Sequence, residues 1–173
     1  MTHSRTRSGA APTHSISSFP TELYSEILPG LWQGGTADSD TIDNPVTKRA
    51  MWNTPRDVTV GQFQSVVTLY AWARPADWWV TEYRYPFMDS GEDQDWAAIE
   101  AAADWAYARW QAGDKVLIRC QAGVSRSGLV TALVLMRHGF EAHDAIKLLR
   151  LRRADVVLRT NPSFIKYLLR RGR

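Results

Sequence analysis

The 173-residue chain holds one cysteine, Cys120, and six positions after it an arginine, Arg126, followed at once by Ser127. Between them runs Gln121-Ala122-Gly123-Val124-Ser125. A cysteine at the mouth of a strand, followed by a tight loop and then a helix, lies among backbone N–H groups and near the positive end of a helix dipole. That setting favours the thiolate and binds a phosphate dianion with the same groups. Arg126, brought back over the loop, supplies a fork of N–H donors for two phosphoryl oxygens, which a lysine cannot. Gly123 permits positive φ and a close approach of backbone to ligand. Ser127 is placed to donate a hydrogen bond to the Cys120 sulfur as it leaves a phosphorylated intermediate, and Ser125 to shape the loop. A lone cysteine is commonly a small core hydrophobe, and a lone arginine at a helix start is commonly solvated; the six-residue offset turns both readings. The chemistry that suits this pattern is attack by Cys120 on a phosphate monoester, with Gln121, Ala122, Gly123, Val124, Ser125 and Arg126 holding the phosphate.

Such a loop needs a strand before it and a helix after it. Val116-Leu117-Ile118 is a short apolar run leading into Cys120, and 127–137 reads as an apolar helix stopped near Gly139. Upstream, Tyr24 to Trp32 reads as two extended pieces around a Pro29-Gly30 turn. The stretches 63–70 and 80–87 read as strands. Trp96, Ile99, Ala103, Ala106 and Trp110 recur at helical spacing, with Asp93 or Asp95 as cap and Gly113 as stop. A helix over 142–151 has a basic outer face, and Asn161-Pro162 opens a last one. Strands alternating with helices argue for an α/β fold. Residues 1–20 have little to bury and are expected to form a flexible tail, leaving one catalytic domain over 21–173. The polar stretch 36–57 has no readable role.

The run Arg119-Cys120-Gln121-Ala122-Gly123-Val124-Ser125-Arg126-Ser127-Gly128 resembles the signature loop of the dual-specificity subfamily of protein tyrosine phosphatases. Leu31-Trp32-Gln33-Gly34, Tyr85-Pro86-Phe87-Met88-Asp89 and Asn161-Pro162-Ser163-Phe164 are similar to the same family, so the likeness runs from residue 24 or so to 170. The resemblance implies a single α/β domain with a central, mostly parallel twisted sheet, helices on both faces, and the phosphate loop between a strand and a helix. It implies a cysteine-dependent phosphatase working through a Cys120 phosphocysteine, without cofactor or metal. Phosphotyrosine proteins would be the first substrates and phosphoserine or phosphothreonine proteins the second. It also implies a general acid at Asp89, 31 positions before Cys120. Asp93 on the same loop is the alternative, and Asp95 reads as a helix cap. Where the family usually has histidine before the cysteine, this chain has Arg119. At the end of a buried strand Arg119 needs a carboxylate or loop carbonyls as partners, and an altered reactivity of Cys120 is expected.

A net charge of +3 and a sequence pI of about 9.2 favour anionic partners. With one cysteine there is no intramolecular disulfide framework, and a reducing, cytoplasmic setting is expected. No window approaches the roughly 20 apolar residues of a membrane span. The four histidines, His3, His14, His138 and His143, lack metal-ligand spacing. The basic run from Lys147 to Arg153 and the stretch Arg170-Arg171-Gly172-Arg173 read as solvated faces ahead of contacts with nucleic acid or anionic lipid. The eight tryptophans read as core residues. Trp72, Trp78 and Trp79, around Arg74-Pro75, have a second reading as substrate-lining rings with Arg74 as a contact. Two further functional readings stand beside the protein phosphatase: a phospho-ligand-binding module that does not turn over, and a phosphatase acting on RNA 5′ ends or another non-protein phosphate.

Overall fold

The computed structural model describes residues 19–36, 58–91 and 93–172. Residues 1–18 of the expected tail and 37–57 of the polar stretch lie outside them, whereas Phe19 packs against the core and Pro20 is buried, so the tail ends before them. The Pro29-Gly30 turn forms as the sequence predicts, joining β1 (Tyr24–Leu28) to an antiparallel β2 (Leu31–Gly34). Gly30 takes a φ of 82°, a value that glycine adopts without penalty, and Trp110 Nε1 donates to Pro29 O at 3.0 Å to fix the corner. The remaining strands are β3 (Ser65–Thr68), β4 (Thr81–Arg84) and β5 (Val116–Arg119). They form one sheet in the order β1-β2-β5-β3-β4, with every pairing after the hairpin parallel. The strand that leads into Cys120 is therefore the central one. Ligands of such sheets sit outside the carboxyl ends of the strands.

Because side chains alternate along a strand, each strand feeds two cores. Leu31, Val67, Val116 and Ile118 join one cluster together with residues of all four helices, α1 (Trp96–Gln111), α2 (Arg126–Arg137), α3 (Ala142–Arg152) and α4 (Pro162–Arg171). Val66 and Leu117 point the other way, into a smaller cluster with Val58, Phe63 and Val80. Among the described residues that second cluster contains no helical residue, so the helices expected on both faces are seen on one. Asp95 is the cap of α1, its carboxylate accepting from Ala98 N at 3.0 Å, and Asn161 caps α4 with proline next to it. No helix of the described residues is long and apolar enough to cross a membrane.

Two sequence expectations are overturned here. Trp72, Trp78 and Trp79 are not core residues, being 76%, 87% and 75% exposed. They lie in the connection between β3 and β4, where Val80 and Ala73 fill the interior positions instead. Arg153 is not part of a solvated basic face. It follows the last turn of α3, and its side chain is only 7% exposed, beneath the phosphate loop.

The carboxylate of Glu100, on α1, holds α2 and α4 to its own helix. It accepts from Arg137 Nη2 at 2.5 Å, Tyr167 OH at 2.7 Å and Arg171 Nε at 2.8 Å. Trp96 stacks on Tyr167 beside it, with centroids 3.9 Å apart. Burial by itself would raise the pKa of Glu100, but these three donors together hold it below the usual glutamate value. The native state thus binds fewer protons here than the unfolded chain. The stabilisation is present above the unfolded pKa and is lost as pH falls through the lower native one. Glu100→Gln should lower stability by about 1–3 kcal/mol near neutrality, or roughly 3–10 °C in Tm for a chain of this length. The difference from wild type should shrink as melts are run at progressively more acidic pH.

Candidate active site

Strand β5 is buried along its whole length and delivers Cys120 to the carboxyl edge of the sheet, where Cys120 N donates to Gly34 O at 3.2 Å. Helix α2 begins at Arg126, one residue earlier than the apolar pattern suggests. The loop between turns through Gly123 at φ +70°. Three successive carbonyls of the loop face the protein: Gln121 O accepts from Thr36 N at 3.0 Å, Ala122 O from Arg153 Nη2 at 3.3 Å, and Gly123 O from Arg153 Nε at 3.0 Å. In a planar trans peptide the N–H of the next residue opposes the carbonyl. The N–H groups of Ala122, Gly123 and Val124 are thereby turned to the inside of the loop, as an anion cradle requires.

Cys120 is almost wholly buried at the base of this loop, its Sγ 3.3 Å from Ser127 Oγ. Arg126 is held on two sides, by a hydrogen bond from Nη1 to Phe87 O at 3.2 Å and by the Tyr70 ring, 5.4 Å from its Cζ. Its Nε is buried without an acceptor among the described residues. A buried guanidinium N–H left unsatisfied is costly unless a ligand takes it. Ser125, assigned by sequence to shaping the loop, shares a hydrogen bond of 2.7 Å with Thr160.

Beside the loop opens a cleft of about 520 Å³. Tyr70, Trp72, Pro86, Phe87 and Met88 make its walls, and Asp89, Gln121 and Arg126 are its polar lining. Asp89 Oδ1 accepts from Asn161 Nδ2 at 2.7 Å, and the same nitrogen donates to Ser90 O at 3.2 Å. Gln94 Nε2 donates to Met88 O at 2.9 Å and so holds the segment from the other side. Asp93 is exposed and does not line the cleft, and Asp95 is occupied as a cap. Arg74 contributes its carbonyl to Arg119 and is absent from the cleft lining, whereas Trp72 is part of it.

Arg119 finds both kinds of partner that its burial demands. Its Nε donates to Thr68 Oγ1 at 3.0 Å and its Nη2 to Arg74 O at 2.7 Å, with Glu82 Oε2 3.3 Å away. Burial pushes its pKa down, and the charge of Glu82 acts against that. Arg84, ion-paired to the same carboxylate at 3.5 Å, donates to Ala73 O at 2.9 Å. The two arginines thus bind the carbonyls of the connection that carries Tyr70 and Trp72, one wall of the cleft.

Sequence reasoning missed Arg153, Asn161 as a partner of Asp89, and Gln33. Arg153 donates to uncharged oxygens, among them Glu22 O at 2.6 Å and Ser25 Oγ at 3.1 Å. Burial pushes its pKa down to about 10, opposed by negative charge at Cys120 and Glu22. Gln33 is a polar residue inside a buried strand, and that alone was a signal. Among the described residues no cluster of three or more histidine, cysteine or acidic side chains could hold a metal ion.

The model of the family "Dual specificity phosphatase, catalytic domain" matches residues 65–173. A search of curated proteins finds no match. Among solved structures, human DUSP28 superposes with a TM-score of 0.66 at 20% identity, covering 91% of this chain and 96% of that one. A mouse putative dual specificity phosphatase complexed with zinc tungstate gives 0.64 at 19% identity over 94% and 92%. The human tyrosine phosphatase-like serine/threonine/tyrosine-interacting protein gives 0.62 at 18% over 86% and 93%. At these identities the superpositions speak for the fold, while the family match spans well over half of the chain, from β3 through the phosphate loop to α4. On that match the chain belongs to the family of dual specificity phosphatase catalytic domains and is a cysteine-dependent phosphatase.

Proposed function

We propose that the chain hydrolyses phosphate monoesters of proteins, phosphotyrosine first and phosphoserine or phosphothreonine second, through a phosphocysteine on Cys120. The observation that carries this reading is the loop itself: the chain's one cysteine lies within a ring of inward-turned N–H groups, with the Nε of Arg126 buried and lacking an acceptor. The Cys120 thiolate attacks phosphorus while Ala122, Gly123, Val124 and Arg126 hold the phosphoryl oxygens, and the bond from phosphorus to the ester oxygen breaks. The departing oxygen takes the proton of Asp89. The Asp89 carboxylate then takes a proton from water as the water oxygen attacks phosphorus, the S–P bond breaks, and inorganic phosphate leaves. Gln121 and Ser125 complete the loop. Ser127 donates to the sulfur as it becomes a thiolate again.

The cleft supports an aromatic phosphoester over a polyanion. Its walls are apolar and aromatic, and among the described residues Arg126 is the one basic residue in its lining. A nucleic acid or a multiply phosphorylated lipid presents further charges that this lining does not answer. The test is a rapid acid quench of the reaction with para-nitrophenyl phosphate in EDTA, followed by mass analysis of the peptide containing residue 120. One phosphoryl group should appear on Cys120 in wild type and none in Cys120→Ser, which should also be inactive. Turnover retained by Cys120→Ser would overturn the reading. Binding of tungstate without turnover by folded wild type would replace it with a phospho-ligand-binding module.

A further inference from the structure

Gln33 sits in the middle of β2 with no exposed surface, at a place where its neighbours in the strand pack into apolar clusters. Its Nε2 donates to Gly123 O at 3.2 Å and to Ser127 Oγ at 3.2 Å. The orientation of the amide is fixed by chemistry. A carbonyl oxygen can only accept, so the group 3.2 Å from Gly123 O must be the NH₂. The opposite orientation would set two acceptors against each other, so the amide keeps this one even though its Oε1 is left buried without a donor among the described residues.

A thiol at Cys120 can donate to Ser127 Oγ, but the thiolate that leaves phosphorus can only accept, so in that state the bond must run from Ser127 to sulfur. Ser127 Oγ, already accepting from Gln33, has its own proton left to give, and Cys120 Sγ is 3.3 Å away. Thr131 does not compete for it, because its hydroxyl donates to Ser127 O at 2.7 Å and not to Oγ. We infer that Gln33 is a positioning residue for the second half of the reaction: it holds the Ser127 hydroxyl as a donor to Cys120 Sγ and so speeds breakdown of the phosphoenzyme. The inference rests on the phosphocysteine reading. The S–P bond breaks with its electron pair passing to sulfur, and a hydrogen bond aimed at that developing negative charge lowers the barrier to departure. The first half of the reaction, in which sulfur gives up its electrons, gains nothing from the same donor.

The experiment is a stopped-flow burst with para-nitrophenyl phosphate on wild type, Gln33→Met, Ser127→Ala and the double variant. Release of nitrophenol in the first turnover reports attack, and the steady phase reports phosphoenzyme hydrolysis. Gln33→Met, of similar volume, should slow the steady phase about 10-fold or more, the range of a lost hydrogen bond to a charged group, and leave the first turnover nearly unchanged. KM should fall together with kcat. Added to Ser127→Ala, the same exchange should slow the steady phase no further. Equal slowing of both phases, or full additivity in the double variant, would mean that Gln33 only braces Gly123 and would overturn the inference alone. Turnover by wild type with no phosphoryl adduct on Cys120 would overturn the phosphocysteine reading and this inference with it. A measurement free of any change at Gln33 covers loss of folding in Gln33→Met. In wild type the side-chain amide protons of Gln33 should exchange slowly with solvent, and in Ser127→Ala at least one should exchange faster. An unchanged pair would also overturn the inference.

Discussion

Asp89→Asn should lower kcat for phenyl phosphate by about 10²–10⁴-fold while KM stays near the wild-type value. The magnitude is that of a positioned general acid. The separation of kcat from KM follows from the site, because Asp89 stands on the cleft rim, held by Asn161, and the phosphate is bound by the loop and Arg126. In the first half of the reaction only the leaving oxygen needs the missing proton, and kcat/KM reports that half. The loss in kcat/KM should therefore shrink as the leaving group improves, from phenol through para-nitrophenol to a dinitrophenol, which departs as a stable anion without help. Asp93→Asn, exposed and outside the cleft, should behave as wild type in the same series. A uniform loss across leaving groups, or a larger loss in Asp93→Asn, would take the acid role away from Asp89.

Gly123→Ala should cost at least about 10²-fold in kcat/KM. A methyl group at this position would lie 2.5 Å from Arg153 Nη2, 2.5 Å from Gly34 C and 2.6 Å from Gly35 N. Two of these three are backbone atoms and cannot swing aside. The third belongs to the guanidinium that binds the loop's own carbonyls. The φ of +70° adds strain for any residue with a Cβ. The loop must rise off the hairpin, and a displacement near 1 Å at such a site costs on the order of 10²-fold in rate. Phosphate or tungstate should lose affinity in parallel, since the displaced N–H groups serve ground state and transition state alike. Steady-state kinetics and anion titration on the folded variant check both statements. Wild-type rates with wild-type anion affinity would mean that the loop tolerates a side chain there.

What could be read from sequence is what is local in sequence. Cys120, Arg126 and Ser127 fall within eight consecutive residues, so the spacing carries the geometry and α2 begins within one residue of its expected start. The five strands and four helices of the described residues were legible for the same reason, each from its own periodicity and its own turn residues, as at Pro29-Gly30 and Asn161-Pro162. Asp89 was reached by family resemblance, not from its own surroundings. The misses involve juxtapositions that only the folded chain creates. Arg153 continues a basic helical run whose Lys147 and Arg152 are exposed, and only the turn at the end of α3 sends it inward. Asn161 carries a cap signal that conceals its second bond, to a residue 72 positions away. The tryptophans misled in the opposite sense, because large apolar residues are placed by where the chain has room, and Trp78 and Trp79 lie where Val80 has already taken the interior position.

The seat of Gly123 on Gly34 and Gly35 has a meaning for the order in which the molecule acquires its activity. Gln33 and Gly123 are 90 positions apart, and Glu22 and Arg153, which complete the same seat, are 131 apart. Closing loops of that length is entropically expensive and slow relative to forming the local strand, loop and helix around Cys120. During synthesis the sulfur and Arg126 emerge before Arg153 and Asn161, so a nascent chain holds its nucleophile without the groups that shape the loop and position the acid. Hydrolytic competence is then conferred only once residues 153 and 161 have been made, and a product that stops between residues 128 and 152 would carry the cysteine but not the chemistry.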